Sequence, residues 1–401
     1  MSMGSTSDGL GENNWAKSIV LVSGPALVTL VPMAAAPAMP AMAAHFAHGT
    51  DGALFAQLVM TVPAVALILC APLAGIVAEI VGRRLVMMVG LLSFVLAGTA
   101  VLFLDSPTAL IVSRLLLGAA GGAIQTCCLS LVGDYPTGGH RERLLGFMVA
   151  ASSATAMVAL MAGGHLVDRA GWRTPFALYA FGVPFLLMAP FCIKAHKHIA
   201  TSEHNIFSPF RTMWPIYLLA SALTIGMFMP SIQGPFLLQE QGVGSAEVQG
   251  TVTAACALVA ALAAASFGFI GRFLGSRGVL MLTTVCFGVG ALGMSLAHGA
   301  FLIGCASAVM GIGAGLVEAT CATMIMSRAP LSMRSRATGL LLSAIFLGQF
   351  LNPWVVGPIR VLCGIDKAFM VVGILFLCLA GMILMGRTFW GPWRGERAVR
   401  A

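Results

Sequence analysis

Residues 72–84 read Pro72-Leu-Ala-Gly75-Ile-Val-Ala-Glu79-Ile-Val-Gly82-Arg83-Arg84. Three charges stand together between two long apolar runs, 53–77 and 84–104. Each run is long enough for a membrane span, which needs about 20 mostly apolar residues. A shift of 193 residues reaches a second version, Ala265-Ser-Phe-Gly268-Phe-Ile-Gly-Arg272-Phe-Leu-Gly275-Ser-Arg277. Gly75 falls on Gly268, Gly82 on Gly275 and Arg84 on Arg277. Without a gap, the same shift brings Pro37 onto Pro230, Gly118 onto Gly311, Gly122 onto Gly315 and Cys128 onto Cys321. It continues through Arg141 onto Arg334, Arg143 onto Arg336 and Gly146 onto Gly339. One offset over so long a stretch, with loop arginines falling on loop arginines, marks an internal duplication.

The rest of the chain agrees with this reading. Of its 401 residues, 59% are hydrophobic and 9% charged, against about 25% charged in an ordinary soluble domain. That excludes a string of water-facing domains, a disordered chain and a secreted disulfide scaffold. Twelve apolar runs can be marked, roughly 18–44, 53–77, 84–104, 108–133, 144–166, 175–193, 212–238, 248–270, 279–297, 300–327, 337–357 and 368–386. Six spans per repeat is an even number, so the two halves run parallel about an axis along the membrane normal. The expected organisation is a tail at 1–17, six-helix bundles at 18–193 and 212–386, a linker at 194–211 and a tail at 387–401. Residues 1–17 are polar, with Asp8 and Glu12, and do not resemble a secretory leader.

Sorting the loops gives the orientation. Seventeen of the 22 Lys and Arg residues fall on the side of both termini, four (Arg169, Arg173, Arg360 and Lys367) on the other, and Arg114 lies inside a span. The positive-inside rule places both termini in the cytoplasm. The net charge of +8 is scattered rather than gathered on one basic face, which argues against a nucleic-acid partner. The ten cysteines lie mostly inside apolar runs and lack zinc-ligand spacing.

The loop at Gly75, Glu79, Gly82, Arg83 and Arg84 resembles the signature between spans 2 and 3 of the major facilitator superfamily, with Glu79 replacing the usual Asp and Ile80 a frequent Arg. Arg114-Leu-Leu-Leu-Gly118 is similar to that family's pattern in span 4. Gly171-Trp172-Arg173-x-Pro175-Phe176 resembles a stretch before span 6 of many bacterial members. Span 5 has Thr155-x-x-x-Ala159-Leu160-x-x-Gly163-Gly164, without the proline of the family's antiporter motif. The resemblance implies an all-α fold of two six-helix bundles, secondary transport by alternating access, and a cytoplasmic gate at the first loop. It also implies a part for Arg114 in proton transfer. The loop chemistry stands by itself as well: glycines let membrane helices approach closely, and a carboxylate beside arginines can bridge two docked elements.

Ionisable groups inside spans are expensive and point to function. Two charged residues qualify, Arg114 in span 4 and Glu318 in span 10, and Glu318 has Gln125 as its repeat mate. A carboxylate that loses and regains a proton as a cavity changes side is what proton coupling requires, so Glu318 is the candidate coupling group. If spans 1, 4, 7 and 10 line the cavity, as the resemblance implies, Met33, Gln125, Tyr217, Met227, Gln233 and Thr323 are substrate-cavity candidates, joined by Gln349 and Asn352 of span 11. Pro32, Pro37 and Pro40, and Pro230 and Pro235, should kink spans 1 and 7.

Twenty-four methionines raise a soft-metal alternative, against which stands methionine's general use as an adaptable apolar filler. No nucleotide-binding loop of the Gly-x-x-x-x-Gly-Lys-Ser/Thr type occurs, and no Ser–His or His-Glu-x-x-His pairing suggests an enzyme. The reading is a monomeric, proton-coupled transporter of the bacterial inner membrane, without a cofactor. Its substrate would be a small organic, lipophilic or weakly polar solute, and efflux is favoured. The alternatives are proton-coupled uptake of an organic anion and a non-transporting membrane receptor. On this topology, single-cysteine labelling should reach residues 135–142 and 196–208 from the cytoplasm and 168–173 from outside. Cytoplasmic labelling of residue 168 would overturn the twelve-span orientation.

Overall fold

The computed structural model describes residues 14–46, 50–133, 139–193, 208–329 and 334–385, and within them the chain is helical with no strand. The α-helices are α1 (Asn14–Met33), α2 (Met39–Phe46), α3 (Thr50–Val81), α4 (Arg83–Thr99), α5 (Pro107–Gly133), α6 (Gly139–Ala170), α7 (Gly182–Cys192), α8 (Ser208–Ile232), α9 (Gly234–Glu240), α10 (Ala246–Ala265), α11 (Phe267–Leu296), α12 (Ala300–Arg328), α13 (Arg334–Cys363) and α14 (Ile365–Met385). Short 3₁₀ segments lie at Ala36–Ala38, Ala100–Leu102 and Thr174–Phe181. Among the described residues they make twelve stretches long and apolar enough to cross a membrane, from Lys17–Phe46 to Ile365–Met385. The helices expose large apolar side chains, among them Leu69, Leu96, Phe191, Phe301 and Leu362. Such a surface suits hydrocarbon rather than water.

Both proline-rich spans break where expected. Span 1 divides after Met33 into α1, a 3₁₀ turn carrying Pro37, and α2. Span 7 divides at Gln233 between α8, which contains Pro230, and α9, which has a proline in its first turn. A proline cannot donate the backbone bond that would carry the helix through.

The duplication is visible in backbone geometry. Gly82 ends α3 and opens α4 at φ 96°, and Gly275 interrupts α11 at φ 66°. Positive φ is the region that glycine alone enters without strain, so the two loop glycines perform one task in the two repeats. Further along, a Cβ on Gly122 would lie 3.1 Å from Ala71 N and 3.2 Å from Leu67 O, where α5 crosses α3. One on Gly315 would press on Ala260 O and lie 2.9 Å from Ala264 N, where α12 crosses α10. These partners stand at the same offset as the glycines. Membrane helices gain from this close approach because lipid offers no hydrophobic force to push them together.

The chain forms two compact units: Met1–Pro32 with Ala66–Ala156 and Phe176–Thr201, and Met33–Val65 with Met157–Pro175 and Ser202–Ala401. In the second unit α12 is flanked by α10 and α11, and α11 packs in turn on α14. Arg277 of α11 donates through Nε (3.2 Å) and Nη2 to Ile383 O, and through Nη2 to Leu384 O at 3.0 Å. These carbonyls belong to the last turn of α14, where the helix itself supplies no donors.

The glycine contacts make a graded prediction. Gly315→Ala forces a methyl against backbone and should cost about 1–3 kcal/mol, the range for overpacking. Gly122→Ala should cost less. Gly304→Ala, whose Cβ would meet only Val252 methyls at 3.9 Å, should be near neutral or stabilising. Thermal unfolding midpoints in lipid nanodiscs would show this order, and equal midpoints would refute it.

Candidate functional site

In the first unit, Arg114 of α5 is fully buried. Its Nη2 donates to Ala97 O (3.0 Å) and Gly98 O (3.2 Å), and its Nη1 lies 3.4 Å from the Tyr179 hydroxyl. The guanidinium carbon stacks 5.1 Å from the Phe176 ring centroid and 5.3 Å from that of Tyr179. Tyr179 donates onward to Val31 O (2.9 Å) and Leu30 O (3.3 Å). Ala97 and Gly98 belong to the last turn of α4, and Leu30 and Val31 to the last turn of α1 before its break. The pair therefore satisfies carbonyls at two helix ends, which water cannot reach in a bilayer. Among the described residues no carboxylate forms an ion pair with Arg114, and its positive charge rests on carbonyl dipoles and ring faces.

The same unit holds a cavity of about 810 Å³ between α1, α6 and α7. Its wall is mostly apolar, including Ile19, Val22, Phe147, Ala151 and Phe185, with the hydroxyls of Ser18, Ser23 and Thr155 and one cation, Arg143. None of the polar groups expected to line a substrate cavity takes part in it. Met33 and Gln125 are half-buried elsewhere.

In the second unit, buried amides form a ladder. Gln57 of α3 donates to Gln233 Oε1 (3.0 Å), Gln233 donates to Asn352 Oδ1 (3.2 Å), and Asn352 donates to Ile225 O (2.9 Å). The structure thus brings together two predicted residues, Gln233 and Asn352, and adds Gln57. Gln349, one turn from Asn352, is buried with its Oε1 unpaired. Tyr217 is buried and donates to Ala337 O at 3.2 Å. Met227 is half-buried, and the Thr323 hydroxyl bonds back to Ala319 O of its own helix at 2.8 Å.

Glu318 stands on α12 seven residues after Gly311 and three after Gly315, so all three share one helix face. The two glycines pack on Cys256 and Ala260 of α10. Past that contact the Glu318 side chain is exposed, and among the described residues it makes no hydrogen bond or ion pair. At ~1.5 Å per residue it lies roughly 15 Å from the Arg328 end of the helix. At the loop after α3, Gly75, Arg83 and Arg84 are half-buried and Gly82 makes the turn. The side chain of Glu79 lies outside the described residues.

Sequence reading missed three groups. Gln57 and Tyr179 were findable as polar side chains inside apolar runs. Asp168 was counted as a loop residue, yet it accepts from Ala246 N (2.8 Å), Glu247 N (3.0 Å) and Ser245 Oγ (2.6 Å). Beside it, His165 Nδ1 lies 3.0 Å from Glu247 Oε2.

The model of the Major Facilitator Superfamily matches residues 23–353 and 216–397. The multidrug transporter protein MdtP of Bacillus subtilis is 31% identical over 156 residues, 39% of this chain and 29% of that protein. A triacylglyceride transporter of Mycolicibacterium smegmatis is 27% identical over 255 residues, 58% of this chain and 44% of that protein. The quinolone resistance protein NorB of Staphylococcus aureus is 29% identical over 156 residues, 39% of this chain and 33% of that protein. The matches thus span less than half the length of these relatives. Among solved structures, a variant of the nucleoside transporter NupG superposes with a TM-score of 0.75 at 11% identity, covering 91% of this chain and 99% of that one. A POT family transporter in complex with 5-aminolevulinic acid gives 0.74 at 13%, covering 94% and 96%. Twelve apolar spans among the described residues, a duplicated glycine–arginine loop and a family match along most of its length make this chain a multi-pass membrane member of the Major Facilitator Superfamily.

Proposed function

We propose that the chain exports a lipophilic or weakly polar organic solute across a bacterial inner membrane, both termini cytoplasmic, in exchange for protons. The observation that carries the reading is the cavity between α1, α6 and α7. Its volume of about 810 Å³ lies in the usual range of small-molecule sites. Its wall of Ile19, Val22, Phe147, Ala151 and Phe185 offers mainly dispersion and desolvation, with Ser18, Ser23, Thr155 and Arg143 as the few polar groups. The names of MdtP, NorB and the triacylglyceride transporter favour the same substrate class and direction.

Uptake of an organic anion fits less well. Arg114, the cation that would have met such a substrate in the membrane, is engaged by carbonyls, a hydroxyl and two rings. That arrangement makes it a brace between α4, α5 and the 3₁₀ segment carrying Tyr179. Any effect it has on proton movement is through the geometry it holds.

Glu318 is the proposed coupling group: its carboxylate takes a proton from one side and releases it to the other as access alternates. Glu318→Gln keeps the size and much of the hydrogen bonding of the protonated acid but cannot release a proton. In inverted vesicles with an acidic lumen, given a panel of lipophilic dyes and antibiotics from outside, the wild-type protein should accumulate a solute. Glu318→Gln should lose that accumulation while still allowing solute to equilibrate. Accumulation by Glu318→Gln driven only by a pH difference would rule the scheme out.

A further inference from the structure

The N-terminus of α10 is closed by a residue from a distant helix. Three amides of its first turn have no partner within the helix, those of Ala246, Glu247 and Val248, whereas Gln249 N already donates to Ser245 O at 3.1 Å. Ser245 Oγ accepts from Val248 N at 3.3 Å. Asp168, in the last turn of α6, accepts the other two and also the Ser245 hydroxyl. All donors at this helix start are therefore satisfied, two of them by a carboxylate 78 and 79 residues away in sequence. A negative group here also meets the positive end of the helix dipole.

The backbones around this contact are shaped for it. A Cβ on Gly164 would collide with Ala246 O and approach Glu247 Cα to 2.9 Å, and one on Gly250 would collide with Leu160 O. Glycine thus faces α10 from α6 and glycine faces α6 from α10, in adjacent turns, directly below the carboxylate. The exposed His165–Glu247 pair flanks the seam, and a pair so exposed adds little of its own. Asp168 and the two glycines join a helix of the first sequence repeat to a helix of the second, since α6 and α10 lie on either side of the 194–211 segment.

We propose that Asp168 is a positioning residue for transport: it latches α6 to α10, and the two helices part as one unit when Asp168 lets go of the α10 N-terminus. This rests on the alternating-access reading, in which a seam between repeats must open once per cycle. The glycine contact supplies the shape of the closed state. The carboxylate supplies an attachment that can be broken without leaving the amides dry, because the parted ends face water.

Hydrogen–deuterium exchange of the full chain in lipid nanodiscs tests the latch. Three charge-assisted bonds are lost in Asp168→Ala, and such bonds are among the stronger ones in proteins. Amides in 243–252 should exchange about tenfold faster or more, and those in 157–170 should accelerate with them at a common rate. Amides of α4 and α11 should not change. Asp168→Asn keeps one acceptor oxygen and should fall between wild type and Asp168→Ala. Should Asp168→Ala raise exchange throughout the chain, the same two segments in Asp168→Asn decide the matter. Acceleration confined to 243–252 would make Asp168 a local helix cap and overturn the proposal, as would unchanged exchange. The measurement needs no solute, so it decides the latch separately from the transport reading, which the vesicle assay decides.

Discussion

A backbone inside a bilayer has no water to bond, so every carbonyl and amide that a helix leaves unpaired must find a partner within the protein. This chain breaks or ends helices repeatedly, and several of its polar side chains, buried or exposed, go to those places. Arg114 and Tyr179 serve the ends of α4 and α1. Arg277 serves the end of α14. Asp168 serves the start of α10, and Gln241 bridges Ala297 O and Gly299 N beyond the end of α11. The chain's few charges are therefore structural partners as often as chemical ones, and a charge in a span is not by itself a sign of substrate.

The second constraint is how helices attract one another when lipid is as apolar as they are. Close backbone approach answers it, and glycine is what permits the approach. Gly122 against α3 and Gly315 against α10 show the same solution in each repeat, and Gly164 with Gly250 uses it where the repeats meet. The Gly82 and Gly275 turns have a different cause: they need positive φ, not space. Glycine is thus retained for two unrelated physical reasons, both legible at matching positions.

Against this background Glu318 is distinctive. It shares a helix face with two packing glycines yet is exposed and serves no backbone group among the described residues. Its repeat mate Gln125 cannot titrate. The two repeats thus differ at this position: one carries a carboxylate, the other a neutral amide. The apolar cavity beside α1 lies in the other compact unit, so the proposed solute and proton sites are on separate parts of the fold.

The sequence alone determined the twelve spans, the duplication that pairs Gly82 with Gly275, and the breaks in spans 1 and 7, whereas it read those glycines as points of close approach and the structure shows a positive-φ turn. Each of these depends on local quantities: the apolar content of a window, a missing proline N–H, an absent Cβ. Only the tertiary structure decided what each polar group touches. Tyr217 was a cavity candidate from its span, yet it reaches Ala337 O on α13. Gln233 and Asn352 were candidates too, but their ladder needed Gln57 from a helix 176 residues earlier. Asp168 looked like a loop charge because nothing near it in sequence has an amide to offer; its partners begin 77 residues on. Hydrogen bonds act over about 3 Å, so their partners are set by which helices cross, and the crossing of helices is information that no single stretch of sequence contains.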